Sequence, residues 1–126
     1  MNRTTLTLGT GFVNRYKEEF TNPQLNLELL TEEASEVIRI KSKCFRFGLH
    51  SYHPKNEYPN KAALGVEVGH FLFILDLLIS QGVIDINDIS GGYKSKPITL
   101  RDWYSSATYF KQLGEDISSQ TIPNNQ

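Results

Sequence analysis

Apolar residues recur at three- and four-residue intervals through the middle of the chain, and no segment alternates as a strand between hairpin turns. Asn22-Pro23 predicts a helix entry, with Asn as cap and Pro at the first helical position, where its missing N–H is not needed. The helix is expected to run from about Pro23 to Phe47 and to close at Gly48. "LHSYHPKNEYPN", with its prolines and turn formers, reads as a long ordered loop. Asn60 is then expected to cap a second helix over Lys61–Gln81, which Gly82 ends. Further on, Gly91, Gly92 and Pro97 interrupt the pattern, so a short helix around Ile86–Ile89 and another over Thr99–Leu113 are expected. The predicted fold class is all-α: a small bundle on two long antiparallel helices with shorter C-terminal helices. Residues 1–126 are read as one domain, with 1–20 and 115–126 peripheral or flexible.

The apolar stripes carry acids. At about 100° per residue, Leu29, Glu33, Glu36, Ile40, Cys44 and Phe47 share an arc of roughly 80° on the first helix. On the second, Ala63, Glu67, His70, Phe71, Ile74 and Leu78 share roughly 100°, while Asp76 points to the far side. Carboxylates are rarely buried without a partner, and facing stripes bearing Glu33, Glu36 and Glu67 would repel one another unless a cation lay between them. Oxygen ligands without a thiolate suit Mg2+ or Mn2+ held together with water and substrate phosphate. The plainer alternative makes the glutamates a solvated face and His70 a hydrogen-bonded core residue. Cys44 reads as a small core hydrophobe.

Composition narrows the partners. Thirteen Lys and Arg against fourteen Asp and Glu give a net charge of -1, so no basic field advertises a nucleic-acid duplex as partner. The single cysteine permits no intramolecular disulfide and fits a reducing cytoplasm. The N-terminal "MNRTTLTLGTGF" lacks a signal-peptide core, and "FLFILDLLI" is short for a membrane span and carries Asp76, so no membrane association is expected.

"LLTEEASEVIRIKSKCFRFG", a Pro/Asn-containing loop and "NKAALGVEVGHFLFILDLLISQGVID" together resemble the MazG-like nucleoside triphosphate pyrophosphohydrolases, particularly their short phage-type forms. The likeness covers about residues 27–85, and its specificity lies in E-E-x-x-E followed by E-x-x-D on the next helix. The first motif falls on Glu32, Glu33 and Glu36, and the first acid of the second on Glu67; His70 stands where the second acid is expected. The resemblance implies an all-α homodimer or higher homo-oligomer that uses Mg2+, or Mn2+, to hydrolyse nucleoside triphosphates to the monophosphate and pyrophosphate. Glu33, Glu36, Glu67 and His70 become metal ligands, and Glu32 and Glu33 the catalytic candidates, with Glu32 either a further ligand or the water-orienting base.

Lys43, Lys94 and Lys96 are candidates for the phosphates, and Tyr52 for stacking on a base; solvated surface is the alternative for each lysine and loop packing for the tyrosine. The departure at His70 leaves open an active hydrolase using an imidazole ligand or a nucleotide binder without turnover, with a purely structural helical oligomer as a third alternative.

Overall fold

The computed structural model describes residues 8–9, 11–52, 55 and 57–106. The chain is all-α: a 3-10 turn over Phe12–Tyr16 precedes α1 (Pro23–Phe47), α2 (Asn60–Ser80) and α3 (Ile86–Ser106). Among the described residues the only extended pairing is an isolated bridge between Tyr52 and Pro59.

The bounds of α1 follow from its ends. The Asn22 side chain accepts from the Leu25 N–H at 3.1 Å, and Pro23 opens the helix. At the other end Gly48 takes φ 97°, a conformation that disfavours a side chain, and its N–H donates to the Cys44 carbonyl.

Two buried asparagines fasten α1 antiparallel to α2, one at each end of the pair. At the first end the Asn26 amide donates to the Phe20 carbonyl and to Gln81 Oε1, both at 3.0 Å, and Gln81 Nε2 donates to the same carbonyl. At the second, Asn60 Nδ2 donates to the Gly48 carbonyl at 3.1 Å, while the Asn60 and Lys61 N–H groups donate to Ser51 and Leu49. Asn60 is therefore not the cap expected from the sequence. Pro59 occupies the cap position, and Asn60 is the first helical residue, its amide turned to satisfy the end of α1. Between the pins lies a core of Ile40, Cys44 and Ala63 with Leu49 and Leu64 against it, and Leu77 and Leu78 are fully enclosed. Burial pushes the Cys44 thiol above its ordinary range, as suits a packing residue.

Phe47 departs from the expected stripe. It is 60% exposed, because the chain turns away at Gly48 and leaves the ring beneath the Arg46 guanidinium, 5.1 Å from its centroid. The far face of α2 carries a roof. Asp76 is buried and accepts from the Gly9 N–H at 2.7 Å, Val13 is enclosed, and Phe12, Tyr16 and Phe20 ring Phe73. The stretch from Gly11 to Phe20 packs on α2 from outside the helix pair.

The third region also corrects the sequence reading. One helix runs continuously from Ile86 to Ser106 through Gly91, Gly92 and Pro97, where two short helices were expected; residues 107–113 of the second lie outside the described residues. Asp85 opens it by accepting from the Asn87 N–H, and hydroxyls of Ser95 and Thr99 bond to the carbonyls of Gly92 and Lys96 around the proline. Because α3 buries none of its residues, the carbonyl that Pro97 leaves unbonded can be met by water. By length and composition α2 could cross a membrane, since the whole helix extends well beyond the nine-residue run. It nonetheless carries Glu67, His70 and Asp76.

Leu78 is wholly enclosed, so Leu78→Ala should lower unfolding stability by about 2–5 kcal/mol. Chemical denaturation with an unchanged slope would check this, and a loss under about 1 kcal/mol would contradict the packing described.

Candidate metal centre

The paired helices bring one acid from α1 to two groups on α2. Glu33, Glu67 and His70 each offer a ligand atom, and these atoms lie within 4.8 Å of one another. Glu67 and His70 stand one turn apart on α2, so their side chains meet on one face, with Glu67 Oε2 3.2 Å from His70 Nδ1. The Glu67 side chain is only 19% exposed and that of His70 57%, so the carboxylates lie inward and the imidazole forms the solvent edge.

The donor set fits a divalent cation. An ion bonded at about 2.1 Å to each group would hold the ligand atoms at most about 4.2 Å apart, so a small rotation of the side chains closes the site. Two carboxylates and a neutral imidazole suit Mn2+ and other imidazole-tolerant ions better than a site made of oxygen alone. The second ring nitrogen of His70 stays available, because Nδ1 is the atom facing Glu67.

Glu36 stands apart from this group. Its Oε2 lies 2.7 Å from Arg39 Nη2 and accepts from Nε at 2.8 Å. Both side chains are more than a third exposed, so the pair is worth at most about 1 kcal/mol and a cation could draw Glu36 away. Glu32 is exposed on the next position around α1, outside the cluster.

The candidate phosphate and base residues lie elsewhere. Lys43 is ten residues beyond Glu33, about 15 Å along α1. Lys94 and Lys96 lie on α3, with Lys96 Nζ 5.4 Å from the Trp103 ring centroid, and Tyr52 sits exposed in the loop beside Pro59. None of these is gathered at the acids.

Two buried polar residues escaped the sequence reading. Asn26 continues the Leu29–Glu33–Ile40 stripe one turn back, a signal that an amide there would be enclosed. Asp76 borders a cleft of about 180 Å³ with Lys17 and Ser80, nine residues and about 13 Å along α2 from Glu67.

No family model matches the chain, and no curated protein or solved structure matches it either.

If Glu33, Glu67 and His70 hold a cation, Mn2+ at a hundred times its dissociation constant should stabilise the chain by about 2.7 kcal/mol. Glu67→Gln should abolish the gain. Thermal unfolding with and without Mn2+ reads this directly; an equal shift in both chains would place the ion elsewhere.

Proposed function

We propose that this chain is a metal-dependent nucleoside triphosphate pyrophosphohydrolase of the MazG-like type, acting in the cytoplasm as a homo-oligomer. The observation that carries the reading is the convergence of Glu33 with Glu67 and His70 between the two long helices. These are positions that the E-E-x-x-E and E-x-x-D resemblance singles out, and they are legible without it as acids on an apolar stripe.

In this scheme Glu33 and Glu67 would hold a divalent ion from the two long helices, with His70 as a third ligand from the rim. When bound, the ion supplies charge neutralisation of the triphosphate. Glu36 would be a fourth ligand were it to leave Arg39. Glu32, exposed beside Glu33, is the group placed to orient the attacking water or to add a ligand. Lys43 lies about 15 Å along α1 from Glu33 and Tyr52 in the loop beyond, so neither reaches the acids in this arrangement.

A second reading has its own support. His70 in place of an acid and the engagement of Glu36 with Arg39 both thin the ligand set, as expected of a protein that binds a nucleotide or nucleotide-derived signal without turnover. Pyrophosphate release measured over a panel of ribo- and deoxyribonucleoside triphosphates separates the two. Release should be faster with Mn2+ than with Mg2+, should fall about 100-fold or more in Glu33→Gln, and should gain Mg2+-dependent rate in His70→Asp. Nucleotide binding by calorimetry with no release at saturating Mn2+ would favour the binder.

A further inference from the structure

Charge is unevenly distributed along the chain. Residues 41–61 carry Lys41, Lys43, Arg46, Lys55 and Lys61 against Glu57, a net of +4, so the remaining residues carry -5. The total of -1 therefore hides a basic region at the end of the molecule where α1 passes into α2.

The fold gathers that region and sets aromatic rings into it. Gly48 and Leu49 accept from Asn60 Nδ2 and from the Lys61 N–H, the Asn60 N–H donates to the Ser51 carbonyl, and Tyr52 bridges Pro59. The last turn of α1, the first turn of α2 and both flanks of the loop thus meet in one place. Arg46 and Lys61 are exposed there, and Lys43 is half-buried one turn before Arg46 on α1. Phe47, Tyr52 and Tyr58 are exposed as well, Tyr52 to 61% and Tyr58 to 44%. The Arg46 guanidinium over the Phe47 ring joins a cation to an open aromatic face.

Helix electrostatics account for only part of this arrangement. Arg46 stands in the last turn of α1, where carbonyl ends favour a cation. Lys61 stands in the first turn of α2, where the helix dipole disfavours one, and that turn holds no acid. Its charge is better explained by something outside the fold.

We propose that this end of the helix pair binds single-stranded nucleic acid, with Lys43, Arg46 and Lys61 meeting phosphates and Phe47, Tyr52 and Tyr58 stacking on bases. Cations that follow a backbone and open rings that meet successive bases are the two parts of sequence-tolerant single-strand binding, and both are present in this one place. A duplex or an anionic bilayer would use the cations and leave the rings without a partner, because paired bases are already stacked on one another. The surface is independent of the metal centre, since Lys43 lies about 15 Å along α1 from Glu33.

The test titrates the full chain into short fluorescently labelled oligodeoxythymidylate and oligouridylate strands and reads anisotropy. Saturable binding to either strand is expected, and preference for one tells DNA from RNA. Three phosphate contacts should give a log–log salt slope of about -2. Arg46→Glu/Lys61→Glu should weaken binding at least about tenfold and flatten that slope. Phe47→Ala and Tyr58→Ala should each weaken it about tenfold with the slope kept. All four side chains are exposed, and circular dichroism checks that each variant keeps its helicity. No binding by the wild-type chain, or binding undiminished in the charge variant or in both ring variants, overturns the assignment. Equal affinity for a duplex of the same length or for phosphatidylcholine/phosphatidylserine vesicles also overturns it, by making the surface a general anion patch. Displacement of the strand by uridine triphosphate at equal nucleotide concentration overturns it as well, by making the surface a mononucleotide pocket.

Discussion

The antiparallel pairing of α1 and α2 is the constraint on which everything else depends, and two buried amides set its register. Asn26 closes one end of the pair on Phe20 and Gln81, and Asn60 closes the other on Gly48. Apolar contacts between helices tolerate sliding, whereas hydrogen bonds from enclosed amides do not, because a slipped amide would be left buried and unbonded. A slip of one turn, about 5.4 Å, would carry Glu33 out of reach of Glu67 and His70. The geometry of the candidate site is thus held by residues that take no part in it.

The candidate site draws its groups from both helices. Glu33 comes from α1 and Glu67 from α2, and His70 Nδ1 stands 3.2 Å from Glu67 Oε2. Two carboxylates and one imidazole make a mixed oxygen and nitrogen donor set, which suits imidazole-tolerant ions such as Mn2+ better than oxygen ligands alone would. Glu36 is paired with Arg39 and stays outside the cluster.

Much of this was legible in the sequence, for reasons that also explain the misses. The ends of α1 were readable because Asn22, Pro23 and Gly48 act locally, and Glu33 and Glu67 because helical periodicity alone decides which face they share. The roles of Asn60 and Phe47 depend on where a different segment passes, which periodicity does not encode. The pairing of Glu36 with Arg39 is a rotamer choice among neighbours one turn apart. At α3 the glycines and the proline argued for a break, and the helix continues through them with none of its residues buried.

The central claim, that Glu33, Glu67 and His70 form one cation site, is tested most directly by paramagnetic broadening of the imidazole resonances by substoichiometric Mn2+. The chain has three histidines, so the signals can be assigned by substitution. The account predicts that His70 broadens first and selectively, and that Glu33→Gln and Glu67→Gln each remove the effect. Equal broadening of all three histidines, or selective broadening that survives both substitutions, would contradict it.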